Sequence, residues 1–226
     1  MVSNHPTYAA FTHNSPLTAN RSSIIITFTV NLIGSFLFKD SVHLLLSVLF
    51  YFTFIQGSTF VKMKRIKVLL FLAILFSGLV AGLVYAYSCS VNTGLKNLDD
   101  AEFLTAMQSI NIAIQNPLFF TSFMGLLVIF PVTALKYYHA GANTTFCLIL
   151  ASAAIYIVAV FGVTILGNVP LNETLAKFNL NEASRKEVAS MRRLFEKPWN
   201  TFHTIRTIAS IISFSVSILP AILQKI

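Results

Sequence analysis

Four long apolar runs occupy most of the chain and predict helices that cross a membrane. They cover Ile66 to about Ser88, Leu118 to Tyr138, Thr144 to Leu166 and Thr201 to Leu223. Each run is about 20 residues long, which matches the hydrocarbon thickness of a bilayer. Because the connections between the runs are short, the pattern predicts an all-α, integral membrane four-helix bundle.

The first 62 residues stand apart from this pattern. Their apolar stretch is interrupted by Lys39 and Asp40, and residues 42–61 have the composition of one additional N-terminal hydrophobic helix. Met63, in contrast, begins a short basic segment followed by an apolar run, which is typical of the start of a membrane protein. We therefore divide the chain into residues 1–62, which are either an accessory hydrophobic helix or a mis-assigned start, and a four-span domain of residues 63–226.

Polar residues collect in the segments that follow the first and third apolar runs. Two successive crossings return the chain to the same side of the membrane, so both segments must lie at one end of the bundle. Polar groups at one mouth of an apolar bundle predict a pocket. We expect this polar mouth to face outward, since the basic segment before the first run favours a cytoplasmic location for the opposite end. The residues expected at the polar mouth are Asn111, Asn116, Asn168, Asn172, Trp199, His203 and Arg206.

The second polar segment has a predicted structure of its own. Gly167 has the properties of a helix end, and Pro170 those of a helix start. An amphipathic helix is predicted over about residues 182–195, and Pro198 is then placed at the start of the fourth span. In this interpretation the fourth span is separate from the amphipathic helix.

Composition supports a membrane protein and argues against other classes. The chain is 55% hydrophobic and 11% charged, with a mean hydropathy of +0.73, whereas soluble domains carry about 25% charged residues. The net charge of +8 comes from residues that flank the apolar runs, so we expect the lipid bilayer as a partner and no nucleic acid. The histidines show no metal-ligand spacing, and we predict no metal site. The plasma or cytoplasmic membrane is the expected location.

Three motifs occur in a fixed order along the four-span domain. They are MQSIN at residues 107–111, NVPLN at residues 168–172, and WNTFHTIRT at residues 199–207. In this order they resemble the anthrone-oxygenase-like family of small four-span membrane proteins, long described as a domain of unknown function. The resemblance runs from about Arg65 to Ile218. The chain departs from the family pattern at Phe202 and His203, where the family usually has Trp-Asn.

The resemblance implies a cofactor-independent oxygenase that acts with O₂ on an anthrone or a similar aromatic, polyketide-like substrate. The named fungal members of the family oxidise an anthrone to an anthraquinone without flavin, haem or metal. Such a reaction needs a dry cavity, a base that removes an acidic C–H proton, and donors for the developing oxyanion. We predict His203 or Glu196 as the base and Arg206, together with Asn168 or Asn111, as the oxyanion donors. The predicted substrate-binding residues are Trp199, as a stacking wall, with Asn111, Asn168, Gln108, Asn116 and Asn172.

Each of these residues also has a structural interpretation, which leaves the function open. Trp199 and Arg206 have the character of membrane-interface anchors. The amides of Gln108 and Asn111 could satisfy each other at a helix contact. Asn168 and Asn172 could cap helix ends: the residue types alone do not decide between these roles.

The alternative function is a non-catalytic membrane scaffold, or a lipid- or quinone-binding module, which needs the same pocket but no base. A transporter is disfavoured, because the four spans show no internal repeat. Gly78 and Gly82 form a small-xxx-small face of the kind that brings helices close together, so the chain could also be a homo-oligomer.

Overall fold

The computed structural model describes residues 59–223 and contains only helices, turns and loops in this range. Helix α1, Thr59–Ala86, continues through a π-helical stretch, Tyr87–Val91, into the short α2, Asn92–Leu95. Helix α3, Asp100–Ala113, leads to α4, Pro117–His139. Most of the predicted N-terminal extension, residues 1–58, lies outside the described residues.

The third long helix is assembled from four consecutive pieces. Helix α5, Asn143–Ile155, is followed by two π-helical stretches, Tyr156–Gly162 and Thr164–Asn168, and then by α6, Val169–Ala176. Helix α7, Arg185–Leu223, completes the described chain. We call the whole of residues 143–176 the third span.

Four helices of the described range are long and apolar enough to cross a membrane: Arg65–Leu95, Pro117–His139, Asn143–Ala176 and Arg185–Leu223. This confirms the predicted all-α fold with four candidate spans and makes the chain a multi-pass membrane protein. The spans pack in a ring, because α1 and the third span each contact both α4 and α7. Their shared core contains Leu69, Ile129, Phe130, Ile149 and Tyr156.

Two predicted helix boundaries are wrong. The third span does not end at Gly167, because the π-helical stretch Thr164–Asn168 leads directly into α6. Pro170 lies in the first turn of α6, where a missing N–H is tolerated. Pro198 lies inside α7 rather than at its start, so the predicted amphipathic helix and the fourth apolar run form one helix.

A second, smaller cluster covers the polar end of the bundle. It joins α3, α6 and the first part of α7 through buried Leu104, Met107, Leu175, Phe195 and Trp199. The Nε2 atom of Gln108 donates to the carbonyl oxygens of Leu175 at 2.8 Å and Phe178 at 3.1 Å, which fastens α3 to the end of α6. This cluster is the roof under which the candidate site lies.

Arg192 holds the loop before α3 against α7. Its Nε donates to Glu196 at 2.8 Å, and its Nη1 donates to Asp100 at 3.1 Å and to the carbonyl oxygen of Leu98 at 2.7 Å. Nη2 reaches the carbonyl oxygen of Lys96 at 3.3 Å. One guanidinium therefore satisfies two loop carbonyls and two carboxylates, which fixes how α3 enters the roof.

Glycines allow close contact between α7 and its neighbours at two points. A Cβ on Gly167 would lie 2.5 Å from Cγ of Phe202, so the aromatic ring rests directly on the backbone of the third span. Gly78 faces Phe214 of α7, where a Cβ would meet the ring at 3.1 Å, whereas Gly82 has open space around it. The two residues of the small-xxx-small pattern thus have different surroundings: Gly78 packs against α7 of the same chain, and Gly82 does not contact another helix.

We predict that Gly167→Ala destabilises the protein by about 1–3 kcal/mol, because the added methyl group forces Phe202 and its helix away from the third span. Gly82→Ala is the matched control and should be neutral or slightly stabilising. Thermal unfolding in detergent measures both. Restoration of stability by Phe202→Ala in the Gly167→Ala background would identify the ring as the cause, and an unchanged melting temperature for Gly167→Ala would contradict the prediction.

We expect Arg192→Ala to lower the free energy of unfolding by about 2 kcal/mol, since it leaves two carbonyls and a part-buried carboxylate without their donor. Its neighbour Arg193 is exposed, so Arg193→Ala removes the same charge without these contacts. Limited proteolysis should cut the loop at residues 96–99 faster in Arg192→Ala than in Arg193→Ala. Equal cleavage rates would show that the guanidinium does not hold the loop.

Candidate functional site

A cavity of about 860 Å³ lies beneath the roof. This volume falls within the usual range of small-molecule sites, about 300–1,000 Å³. Its walls come from α1, α3, α4, α7, and the π-helical stretches and α6 of the third span, and they are mainly apolar and aromatic. Seven residues predicted for the site line this one cavity: Gln108, Asn111, Asn168, Asn172, Trp199, His203 and Arg206.

Arg206 and His203 form a bonded pair one turn apart on α7. The Nε and Nη2 atoms of Arg206 donate to Nδ1 of His203 at 3.2 and 3.0 Å. On its other side, Nε2 of His203 lies 2.9 Å from Oγ of Ser88. The imidazole is 1% exposed, so it is held by contacts on both ring nitrogens.

These contacts indicate the protonation state of the His203 ring. A guanidinium can only donate, so Nδ1 of His203 must be the unprotonated nitrogen that accepts. In the neutral ring the proton then sits on Nε2 and is donated to Ser88, whose own hydroxyl donates to the carbonyl oxygen of Val84 at 3.0 Å. His203 thus positions Arg206. Because both of its ring nitrogens are hydrogen-bonded within the protein, neither is free to accept a proton from a substrate.

Trp199 is the aromatic centre of the site. Its ring stacks on His203 with centroids 5.0 Å apart and planes at 16°, and the Arg206 guanidinium lies 5.3 Å from the indole centroid. The indole Nε1 donates to Oδ1 of Asn172 at 2.8 Å. The hydrogen bond to α6 therefore fixes the orientation of Trp199, and the guanidinium packs against the face of its indole ring.

The guanidinium of Arg206 has no ion-pair partner in the part of the chain that the structure describes. Of its five N–H donors, two contact His203, and the side chain borders the cavity. A cation in apolar surroundings is costly unless it is paired or solvated. The site consequently presents positive charge to whatever enters the cavity.

Two asparagines leave one buried polar atom each without a partner in the described range. The Nδ2 atom of Asn168 donates to the carbonyl oxygen of Trp199 at 3.2 Å, while its Oδ1 has no donor. The Nδ2 atom of Asn111 has no acceptor. Asn168 makes no capping hydrogen bond, and the amide of Gln108 donates to carbonyl oxygens at and just after the end of α6 instead of bonding to Asn111. The capping and amide-pair interpretations therefore do not describe these two side chains.

Two predicted site residues do not line the cavity. Glu196 is paired with Arg192, which contacts the loop before α3. Asn116 caps α4, because its Oδ1 accepts from the backbone N–H of Phe119 at 3.1 Å. The roles predicted for the cavity-lining residues remain predictions, but the polar mouth itself is assembled as the parity argument expects.

Among the polar cavity residues that the sequence analysis did not predict, Tyr87 and Glu173 bear most directly on the chemistry. Tyr87 lies in the π-helical stretch after α1. The centroid of its ring is 5.4 Å from that of Trp199 and 5.0 Å from that of His203. Glu173 is the one carboxylate among the cavity-lining residues that the structure describes, and it accepts no hydrogen bond there. Glu173 directly follows the NVPLN motif, which could have indicated a place at the site. The prediction that the third span ends at Gly167 left Glu173 outside it.

A comparison with protein-family models gives a match to part of the chain. The family model described as anthrone oxygenase matches residues 118–216, which include α4, the third span and most of α7. This confirms the family resemblance predicted from the motifs, over a shorter segment than predicted. No curated protein and no solved structure matches the chain.

Proposed function

We propose that this membrane protein of the anthrone-oxygenase-like family is a cofactor-independent oxygenase of a hydrophobic aromatic substrate. The observation that carries the proposal is the Arg206 guanidinium, which borders an aromatic-walled cavity with no ion-pair partner in the described range. An acidic C–H compound such as an anthrone becomes an anion on the way to product. Arg206 supplies the charge that stabilises this anion.

The walls of the cavity suit such a substrate. Phe119, Phe120 and Phe123 of α4 line one side, and Trp199 and Tyr87 line another. Flat aromatic surfaces favour a flat polycyclic ligand through stacking. The apolar part of the lining lowers the local dielectric constant, which strengthens the attraction between Arg206 and a developing anion.

The reaction can be written so that atoms and electrons balance. A base removes one proton from the reactive CH₂ group, and the negative charge spreads to the ketone oxygen, for which the cavity-lining Arg206 is the proposed donor. The carbanion gives an electron to O₂, and recombination with the resulting superoxide and one proton forms a hydroperoxide. Loss of water then leaves a second carbonyl group. One O₂ is consumed and one H₂O is released for each CH₂ that becomes C=O.

Glu173 is a better candidate for the base than either residue predicted from the sequence. Both ring nitrogens of His203 are engaged, and Glu196 is bonded to Arg192 outside the cavity lining. Glu173 borders the cavity with an unbonded carboxylate, and Lys177 lines the cavity one turn further on. In this assignment His203 positions Arg206 while Glu173 takes the proton.

A lipid- or quinone-binding module is the alternative, since a quinone would use the same aromatic walls and donors without turnover. The cytoplasmic membrane remains the predicted location. A homo-oligomer remains a prediction as well, and its contact would use a surface other than Gly78, which already faces Phe214.

Oxygen uptake with an anthrone tests the function. We expect the detergent-purified protein to consume O₂ in proportion to substrate, and Arg206→Ala to lower kcat by about 10²–10³, the usual effect of removing one oxyanion donor. Lys197→Ala removes an exposed cation from the same helix and should leave kcat unchanged. Full turnover by a folded Arg206→Ala protein would contradict the proposal, and ligand binding without any O₂ uptake by the wild type would favour the binding module.

For the base we predict that Glu173→Gln lowers kcat by at least about 10²-fold while substrate affinity changes little, because the amide keeps the size of the side chain. Glu182→Gln, at an exposed loop position, is the charge-matched control. Loss of turnover in Glu196→Gln but not in Glu173→Gln would return the assignment to the residue predicted from the sequence.

A further inference from the structure

Helix α7 has a second face, on the side opposite to the candidate site. Residues three or four positions apart share one side of a helix, and at each such step from residue 186 to residue 215 the residue on this side is exposed. Trp199, His203 and Thr207 are buried on the other side. We call the exposed side the outer face of α7; it consists of Lys186, Ser190, Arg193, Lys197, Thr201, Thr204, Ile208, Ile211 and Ser215.

The outer face changes from cationic to apolar after Lys197. The hydroxyl groups of Thr201 and Thr204 donate to backbone carbonyl oxygens one turn back, at 3.0 and 2.9 Å. Neither side chain therefore carries a polar group that hydrocarbon would leave without a partner. Ile208, further along, is 55% exposed, as expected for a side chain that contacts lipid. The hydrocarbon layer consequently begins near Thr201, one turn after Lys197.

Arg193 and Lys197 lie at the level of the lipid headgroups. They are one turn apart, about 6 Å along the helix axis, and the headgroup layer of each leaflet is about 5–8 Å thick. Leu194, an exposed aliphatic residue, lies at the same level. Lys186 is about 16 Å from Lys197 along the axis, so it lies beyond the headgroups.

These two cations at the headgroup level have no carboxylate within 4.0 Å in the described part of the chain. The acidic residues of the same stretch are engaged elsewhere. Glu196 is paired with Arg192, and Glu187 accepts from the backbone N–H and the hydroxyl of Ser184, both at 2.7 Å. Like charges one turn apart on a helix repel each other, whereas a solvated helix face usually alternates charges of opposite sign. The outer face thus lacks a counter-charge where it meets the membrane.

We propose that Arg193 and Lys197 bind the headgroup of an anionic phospholipid, whose acyl chain lies along the apolar part of the outer face. The net negative headgroup supplies the counter-charge, and the planar guanidinium of Arg193 suits two oxygens of its phosphate group. Basic residues next to a membrane span attract anionic lipids in this way. The dimensions agree, because Lys197 and Ile208 are about 16 Å apart along the axis, about half the thickness of the hydrocarbon core.

This inference goes beyond the proposed function, because no residue of the outer face lines the cavity. It requires anionic lipid only in the leaflet next to the polar mouth, so it holds for either orientation of the protein. The lipid takes no part in turnover, and the loss of its binding leaves O₂ uptake in detergent unchanged. Failure of either proposal therefore leaves the other standing.

Photo-crosslinking of the full chain in phosphatidylcholine vesicles tests the lipid site. Two probes that differ only in the headgroup, a phosphatidylglycerol and a phosphatidylcholine, each carry a diazirine in the middle of one acyl chain. Mass spectrometry of peptides locates the adducts. The third span is an internal reference, because it contains no Lys or Arg and exposes Val158 to lipid. Relative to this reference, we expect the phosphatidylglycerol probe to label residues 201–208 about tenfold more than the phosphatidylcholine probe does.

The double variant Arg193→Gln with Lys197→Gln should lose this preference, because glutamine keeps a polar side chain but removes the charge. The matched control is the double variant Arg185→Gln with Lys186→Gln. It also removes two exposed cations from α7, but these lie beyond the headgroups, so the tenfold preference should remain. Both pairs are exposed, so neither double variant disturbs the core.

Equal labelling of residues 201–208 by the two probes in the wild type would overturn the proposal and would identify a face that contacts lipid without selecting it. A preference that persists without Arg193 and Lys197 would overturn the assignment, as would its loss in the control pair, which would show that the net charge of the helix sets the preference. Absence of adducts on residues 201–208, with normal labelling of the third span, would indicate that another protein molecule covers this face and would equally overturn the proposal.

Discussion

Polar groups inside an apolar bundle need hydrogen-bond partners from the protein itself, because lipid hydrocarbon provides no donors or acceptors. Helix α7 meets this constraint by turning its polar side inward and its isoleucines outward. Several inward hydroxyls bond to the carbonyl one turn back, as Thr207 does to His203 at 2.7 Å and Ser210 to Arg206 at 2.6 Å. The bundle is organised around this buried polar stripe, which consists of His203, Thr207, Ser210, Ser213 and Ser217.

The continuity of α7 makes the candidate site possible. Trp199, His203 and Arg206 follow one another at spacings of four and three residues, so one helical face carries all three. If Pro198 had started a new helix, Trp199 would lie in a frayed first turn. In the continuous helix it is preceded by several complete turns. The part of α7 before Pro198 packs in the roof through Phe195, and the part directly after it lines the cavity with Trp199, His203 and Arg206. The length of this helix therefore serves both to cross the membrane and to build the candidate site.

The sequence predicts the part of this structure that depends on contact with lipid. Apolar runs locate the four spans, and parity brings Asn111, Asn168 and Trp199 to the same end. It does not predict where a span continues beyond its apolar run, because that depends on packing against α3 and α7. Gly167 illustrates the difference: it resembles a helix end in the sequence, yet the structure uses its missing side chain to seat Phe202. Glu173, six residues further on, was missed for the same reason.

The choice of partner for Arg206 distinguishes a site built for an anion from one built only for stability. A carboxylate would be the more stabilising neighbour for a buried guanidinium, and Glu173 borders the same cavity. No ion pair forms between them, since the structure brings no described carboxylate within 4.0 Å of Arg206. The neutral Nδ1 of His203 orients the guanidinium without cancelling its charge, so the attraction for an anion is preserved. The proposed oxygenase depends on that arrangement, because its oxyanion develops beside Arg206, whereas the alternative non-catalytic scaffold does not need it.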